Sequence, residues 1–374
     1  MGRDLTVDTI TPAELTPDEL DLWAGFARAD DRYASPYFHP AFTQVAGEVA
    51  PGAAVAILHR RGEIVGFFPH QRRGGTVQPI AAPMNDYHGV VGRPDATATL
   101  ADLPGRLRAS ALSVNGWIGE AEASEGLIRR TTLQAELSDG WDAYDAGRRE
   151  AHRKYFKDKD RARRSLERDL GAVTVRRGDV SDLRRLIDLK RRQYRGSGRH
   201  DVFACGWTAD LMQALLTARE DGFGGRLMVL EAGGAPIAFE YGLFADERYH
   251  FWIPAYEAAT ARYSPGILLS LDTMRQGAGE GFRVFDYGFE GEPYKKYFCD
   301  RSETVVEGVV RRDGRPAVAA GRLGLSVRRR WAAIDACETT LIGRARGVAA
   351  AAGAVLSRTH AAPVAVGFTP LLVL

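Results

Sequence analysis

The sequence has few cysteines, no long apolar run and almost no net charge. Its 374 residues include three cysteines, which are Cys205, Cys299 and Cys337. They lie far apart without metal-ligand spacing, a pattern typical of thiols in a reducing compartment rather than of a disulfide framework. No apolar run is long enough for a transmembrane helix, and the first residues lack the apolar core of a signal peptide. The sequence therefore predicts a cytoplasmic protein without a metal site.

The composition is that of a globular protein, with 45% apolar and 26% charged residues. The formal net charge of +2 says little about partners, and no DNA partner is predicted. The length suits two domains better than one.

The stretch from Glu247 to Phe298 organises the second half of the chain. A strand is predicted over residues 249–253 from its aromatic and β-branched residues. Ser264 and Pro265 then begin a helix, because serine caps helices and proline suits the first helical position. A second strand, 284–287, carries Asp286. The order of strand, helix start, helix and strand is one way to build an anion site from backbone N–H groups at the helix N-terminus.

Three motifs within this stretch resemble those of a known family. They are Arg262-Tyr263-Ser264-Pro265-Gly266, Phe285-Asp286-Tyr287-Gly288, and Glu292-Pro293-Tyr294-Lys295 with Phe298. In this order and spacing they resemble the CelD/BcsL-like branch of the GNAT acyltransferases, which are similar to the Fem transferases in having two GNAT-like domains. The resemblance covers residues 30 to 310.

The resemblance implies an α/β (α+β) fold of two tandem GNAT-like domains with mixed central sheets flanked by helices. We predict a degenerate amino-terminal domain over 1–140, a basic connecting helix over 141–170 and a catalytic domain over 171–312. A basic helical extension over 313–374 follows. Only the catalytic domain has a helix-opening loop suited to a phosphate.

The resemblance also implies a cofactor loop for acetyl-CoA or another acyl-CoA. The predicted cofactor-binding residues are Arg262, Tyr263, Ser264, Gly266 and Ile267. Pro265 departs from the family pattern, since it stands where a residue with a donor N–H, or a glycine, is usual.

Glu240 is the predicted general base. Alternation along residues 237–244 sets it opposite Ile237, Phe239 and Tyr241. A carboxylate in such a run is costly unless it is paired or useful, and burial raises its pKa toward that of a base. A structural ion pair with an arginine is the alternative.

Three further residues complete the predicted catalytic set. Asp286 either orients the attacking amine or caps a turn. Tyr294 is predicted to protonate the departing thiolate, as the resemblance implies, and Lys295 to meet a phosphate or steady the oxyanion.

Two groups are predicted to bind the acceptor. Asp86, Tyr87 and His88 lie together between two apolar strands, where the alternative is a loop with local turn hydrogen bonds. His250 and Trp252 share one face of a strand, which suits a sugar, although a lone histidine there is more often structural.

Two basic segments remain. Residues 141–170 are interpreted either as a salt-bridged, solvated face or as a site for a phosphate-rich partner such as a lipid diphosphate, an anionic membrane or transfer RNA. The pattern of residues 316–355 predicts cationic amphipathic helices. They either dock on the catalytic domain or lie on an anionic membrane. The apolar residues 364–374 are too short to span a bilayer.

The resulting prediction is an acyl-CoA-dependent N-acyltransferase, and most specifically an acetyltransferase. The resemblance implies an amino-sugar acceptor in an exopolysaccharide or its lipid-linked precursor. One alternative is a Fem-like transferase that takes an amino acid from transfer RNA for peptidoglycan, and another is a non-catalytic scaffold at the membrane.

Overall fold

The strands of both halves form one continuous mixed sheet in the computed structural model. The described residues are 4–93, 99–119, 126–197, 200–218, 221–317 and 321–358. The prediction of a mixed α/β fold with a large sheet flanked by helices is confirmed. Residues 359–374, which include the predicted apolar end, lie outside the described part.

The first half supplies seven strands and three helices. The strands are β1 (Leu5–Ile10), β2 (Ala53–Arg60), β3 (Glu63–Arg73), β4 (Thr76–Pro79), β5 (Val91–Gly92), β6 (Ala111–Trp117) and β7 (Ile128–Glu136). The helices are α1 (Pro17–Arg28), α2 (Pro40–Val49) and α3 (Leu103–Arg106). A capping box begins α1, since the Glu19 N–H donates to Thr16 Oγ1 and the Thr16 N–H to Glu19 Oε2.

The second half follows two connecting helices, α4 (Trp141–Ala151) and α5 (Arg153–Leu170). Its strands are β8 (Val173–Arg177), β9 (Phe223–Ala232), β10 (Ala235–Ala245), β11 (Arg248–Tyr256), β12 (Val284–Phe289) and β13 (Arg301–Arg311). Its helices are α6 (Val180–Ser197), α7 (Trp207–Thr217), α8 (Pro265–Gly279), α9 (Lys295–Phe298), α10 (Gly321–Cys337) and α11 (Leu341–Arg358). The predicted basic connecting helix is thus two helices that meet at His152.

The two halves are joined through the sheet itself. The strand order is β1-β2-β3-β4-β6-β13-β7-β12-β11-β10-β9-β8, with β5 paired to β3. The last strand, β13, lies between β6 and β7 of the first half, and β7 also pairs antiparallel with β12. The sheets expected of two separate domains are therefore hydrogen-bonded edge to edge, and β12 lies at the junction.

The main hydrophobic core spans both halves on one face of this sheet. It contains Trp23 and Tyr37 from the first half and Leu211, Tyr241 and Trp252 from the second. Helix α8 lies on the opposite face, where its Leu268 and Leu269 pack against Met228 and Ala238. Any group at the β11–β12 junction thus faces either α8 or the core shared by the halves.

Helix α10 docks on the body of the protein. Its Arg329 donates two hydrogen bonds to Glu307 of β13, at 2.8 and 2.7 Å, and Trp207 Nε1 donates to the Cys337 carbonyl at 3.1 Å. Val327 and Trp331 remain exposed on its outer side. None of the described helices is both long and apolar enough to cross a bilayer.

Candidate active site

The loop before α8 forms a tight helix start. Ser264 has left-handed backbone angles (φ 53°, ψ 48°), and its carbonyl accepts hydrogen bonds from the N–H groups of Ile267 at 3.0 Å and Leu268 at 3.2 Å. Pro265 has no N–H. Gly266 is therefore the one residue among the first three of α8 whose N–H can donate outward, next to the positive end of the helix dipole.

A cavity of about 90 Å³ lies against this helix start. It is lined by residues of α5, β11, the α8 loop and α8, and by the residue just before α9: Tyr155, Lys159, Phe251, Pro254, Tyr256, Ala261, Ser264, Pro265, Gly266, Ile267, Ser270 and Tyr294. Three predicted cofactor-binding residues, Ser264, Gly266 and Ile267, thus share one cavity with the predicted acid Tyr294.

Lys159 is a cavity residue that sequence reasoning did not single out. Its Nζ donates to Ser264 Oγ at 3.0 Å and lies 5.0 Å from the centre of the Tyr155 ring. The side chain is half-buried, and burial lowers its pKa. The basic character of α5 was visible in the sequence, but the packing of α5 against the α8 loop was not.

Arg262 and Tyr263 point toward α5 rather than into the α8 cavity. The Tyr263 hydroxyl donates to Asp169 Oδ2 at 2.8 Å, and the Arg262 guanidinium lies over the Tyr263 ring and 3.6 Å from the same carboxylate. The structure places both outside the lining of the α8 cavity.

Strands β11 and β12 separate at the level of this cavity. Their parallel pairing covers three residue pairs and ends at His250 and Asp286. Immediately beyond, Trp252 is an extra residue in the β10–β11 register, because Tyr241 pairs with Ile253 and Gly242 with Phe251. Among the described residues, one edge of 251–256 thus has no strand partner, and this edge can hydrogen-bond an extended ligand.

A buried group of ionisable side chains lies where the strands separate. His250 Nε2 is 2.9 Å from Asp86 Oδ2, and His250 Nδ1 is 3.6 Å from Asp286 Oδ2. The Tyr87 hydroxyl donates to Asp286 Oδ1 at 2.9 Å. We call Asp86, Tyr87, His250 and Asp286 the His250 cluster; it combines predicted acceptor-binding residues from both halves with the predicted catalytic Asp286.

The His250 cluster is charged although it is buried. Burial alone lowers the pKa of His250, but the Asp286 and Asp86 carboxylates outweigh it and raise that pKa to about 9. Burial likewise opposes ionisation of Asp286, and the His250 charge and its hydrogen bond outweigh burial and lower the Asp286 pKa. The cluster sets two carboxyl groups against one imidazole, an excess of acidic groups that suits the ammonium form of an amine.

Aromatic rings border the His250 cluster. Tyr37 packs edge-on against both His250 and Trp252.

His88, which was also predicted to bind the acceptor, lies apart from the His250 cluster. It packs against Phe68 and Trp117, and burial lowers its pKa to about 3. The structure therefore separates His88 from Asp86 and Tyr87.

Glu240 lies on the opposite face of the sheet, toward α8. It is 1% exposed, and its Oε1 accepts a hydrogen bond from the Tyr249 hydroxyl at 3.2 Å. Burial raises its pKa to about 8. No arginine pairs with it in the described part of the chain, and it lines neither the α8 cavity nor the core face that carries the His250 cluster.

The raised pKa of Glu240 predicts a pH-dependent stability. Because its folded-state pKa of about 8 exceeds the value near 4.5 of an unfolded glutamate, it stabilises the fold most at low pH. We expect that contribution to be lost as pH rises toward 8, to an extent of about 3–5 kcal/mol. Glu240→Gln should gain in melting temperature relative to the wild type between pH 5 and 8. A constant difference across that range would contradict a protonated Glu240.

Tyr294 and Lys295 are neighbours with different surroundings. Tyr294 lines the α8 cavity, and burial raises the pKa of its phenol well above the usual value, so it keeps its proton. Lys295 Nζ donates to the Phe289 carbonyl at 2.6 Å and pairs with Glu292 at 2.8 Å. These contacts fix the turn between β12 and α9 and leave Lys295 away from the cavity.

No metal centre is evident in the described ranges, where no three His, Cys, Asp or Glu side chains converge as ligands would.

One protein family matches a stretch that begins in α5 and ends in α9. Residues 153–296 match the family described as Acetyltransferase (GNAT) domain, a stretch that contains α8, β11, β12 and Tyr294. Over this stretch the chain is similar to a GNAT acetyltransferase domain, and the prediction of an acyltransferase is confirmed.

Several solved structures are similar to this chain at low identity. A tandem GNAT protein from the clavulanic acid pathway has a TM-score of 0.48 and 12% identity, over 82% of this chain and 98% of that one. FemX gives 0.47 and 11%, over 80% and 95%. The C-terminal domain of a protein described as a lysylphosphatidylglycerol synthetase from Agrobacterium fabrum gives 0.46 and 12%, over 83% and 95%. No curated protein matches the sequence. Similarities this weak support no conclusion about substrate.

Proposed function

We propose that the protein is an acyl-CoA-dependent N-acyltransferase, specifically an acetyltransferase, with an amino sugar of an exopolysaccharide or its lipid-linked precursor as acceptor. One observation supports the proposed transfer reaction. The parallel pairing of β11 and β12 ends at His250 and Asp286, so the strands open between the α8 cavity on one face and the His250 cluster on the other. The CelD/BcsL-like resemblance carries the polysaccharide context.

The donor side fits an acyl-CoA without a metal. The pyrophosphate is held by the Gly266 N–H, the positive end of α8 and the Lys159 ammonium, which together offer donors and positive charge to an anion. The pantetheine amides pair with the open edge of residues 251–256 as an added strand does. Pro265 removes one donor from the loop, and Lys159 compensates with a charge supplied by α5.

The acceptor side fits an amine. The His250 cluster, with its two carboxyl groups, holds the acceptor's ammonium and receives its proton through His250 when that imidazole is neutral. The free amine nitrogen then attacks the thioester carbonyl, a C–N bond forms and the C–S bond breaks. The departing thiolate takes its proton from the Tyr294 phenol, and the proton that the acylated nitrogen then loses restores that phenol. Tyr37 and Trp252 border the cluster and offer apolar ring faces to a sugar.

In this proposal Glu240 and Lys295 are not reacting groups. Glu240 is buried beneath α8. Lys295 forms an ion pair with Glu292 and donates a hydrogen bond to the Phe289 carbonyl. The domain boundaries are proposed as predicted, with the donor site in 171–312 supplemented by Lys159 of the connecting segment. We place the reaction at the cytoplasmic side of the membrane, where acyl-CoA is available.

The proposal is tested by titrating acetyl-CoA calorimetrically and measuring thiol release with a panel of amino sugars. Acetyl-CoA is expected to bind with a Kd in the range of about 1 μM–1 mM, and thiol release should require a free amine, so N-acetylated sugars are the matched controls. Failure to bind acetyl-CoA, together with binding of aminoacyl-transfer RNA, would favour the Fem-like alternative. If the protein binds neither acetyl-CoA nor aminoacyl-transfer RNA, the non-catalytic scaffold is favoured.

A further inference from the structure

A second, larger cleft opens on the same face as the His250 cluster. Its volume is about 450 Å³, within the usual range for small-molecule sites. It lies between the end of α1 with the segment that follows it and the beginnings of β11 and β12. Residues of both halves therefore line it.

The inner wall of the cleft has positive charges without carboxylate partners. Arg248 and Arg283 are half-buried, and in the described part of the chain neither guanidinium has a carboxylate oxygen at ion-pair distance. Ser35 adds a buried hydroxyl without a hydrogen-bond partner, on a residue that is 4% exposed. Half-buried charges and buried hydroxyls without partners are costly, so this wall is suited to an oxyanion.

The acidic residues of the cleft do not neutralise that wall. Asp31, Asp246 and Glu247 are exposed at the rim, where water screens their charge. Glu136 lies deeper, but it is 3.7 Å from Arg301, which also pairs with Glu303 at 3.0 Å. Arg301 is thus the cleft arginine that already has carboxylate partners.

Arg248 links the cleft to the strand that carries His250. Arg248 and His250 lie on the same face of β11, because both pair with residues of β10 that face the shared core, Ala245 and Leu243. Two residues along a strand correspond to about 7 Å. The backbone positions of Arg248 and His250 are therefore roughly one monosaccharide length apart. The positive charge of Arg248 also lowers the pKa of Asp286.

Building on the proposed function, we propose that the acceptor carries a phosphate, that Arg248, Arg283 and Ser35 bind it, and that its amine reaches His250. The substrate class is then a phosphorylated amino sugar, with the phosphate free, linked to a nucleoside or linked to a lipid. Neutral amino sugars lack the group that the cleft binds, and they are poor acceptors for that reason.

The test compares glucosamine, glucosamine 1-phosphate, glucosamine 6-phosphate and a nucleoside-diphosphate glucosamine as acceptors. With wild-type protein, at least one phosphorylated acceptor should have a KM about 10–100-fold below that of glucosamine, since each charge-assisted hydrogen-bonded pair is worth about tenfold. Arg248→Gln and Arg283→Gln should each remove most of this preference and leave the affinity for acetyl-CoA unchanged. Arg301→Gln is the matched control and should keep the preference, because its charge is already paired.

The outcomes separate this inference from the proposed function. Equal KM values for glucosamine and its phosphates, or a preference that survives both substitutions, would overturn the phosphate site while acyl transfer stands. If no sugar is acetylated, direct titration of glucosamine 1-phosphate decides: binding that is lost in Arg248→Gln/Arg283→Gln supports the site, and no binding overturns it. A preference for the nucleoside-linked sugar over the simple phosphates identifies that source of the phosphate.

Discussion

Turnover is expected to fall by about 10²–10⁴-fold when His250 is replaced by glutamine, the usual cost of losing a general base. Acetyl-CoA affinity should stay nearly unchanged, because the His250 cluster faces away from the α8 cavity. The wild-type rate should rise with pH up to the raised His250 pKa of about 9, since only the neutral imidazole accepts a proton. That rising limb should be absent from His250→Gln when thiol release is followed against pH.

Further measurements test whether a loss of turnover in His250→Gln reflects the loss of a general base. His250→Gln leaves two buried carboxylates without their partner, a change that costs about 3–5 kcal/mol in other proteins, so its melting temperature must be measured. Tyr87→Phe removes only the hydroxyl that donates to Asp286 and should lower turnover by about tenfold or less in a fully folded protein. Turnover that persists in His250→Gln but collapses in Glu240→Gln would return the base to Glu240.

Local features of this fold were predictable from the sequence. The hairpin of β2 and β3, the capping box of Thr16 and Glu19, and the start of α8 at Pro265 each depend on residues within a few positions of one another. Such signals act through backbone conformation and capping, which short segments already express. The predicted strands around 249–253 and 284–287 are part of β11 and β12.

Other features depend on contacts between distant parts of the chain. Nothing near residues 301–311 indicates that β13 lies between β6 and β7, because strand pairing has no local code beyond its alternation. Asp86 and His250 meet across 164 positions, and Lys159 and Ser264 across 105. The sequence could nominate Asp86, His250 and Asp286 as chemically capable residues, but only the fold brings them together and separates them from Glu240.

The same reasoning explains why the cleft lined by Arg248 and Arg283, the arginine cleft, was not predicted. Ser35, Arg248 and Arg283 lie in three different parts of the chain and have no common motif. In a chain with 50 lysines and arginines, most such residues form solvated surface pairs, as Arg185 does with Glu257. The informative property is the lack of a carboxylate partner in a half-buried position, which is a property of the packed structure.

The start of α8 gives the second large expected effect. Gly266→Glu should weaken acetyl-CoA binding by about 100-fold or more, or roughly 2.7 kcal/mol, because it sets a carboxylate beside the pyrophosphate. Two like charges about 4 Å apart near a protein surface repel by about 4 kcal/mol, which is enough for this loss. Calorimetric titration of acetyl-CoA measures it directly.

Gly266→Ala is the matched control for this substitution. A Cβ at Gly266 would have its nearest neighbour, Tyr256 Cδ1, at 3.7 Å, an ordinary contact, so alanine adds volume without strain or charge. Its acetyl-CoA affinity should stay within a few-fold of the wild type, and the melting temperatures of both variants should match. A glutamate also suits the first turn of a helix, so a loss of binding in Gly266→Glu cannot be explained by a damaged helix. Equal affinities of the two variants for acetyl-CoA would remove the α8 start from the donor site, and the search for the pyrophosphate would move to the arginine cleft.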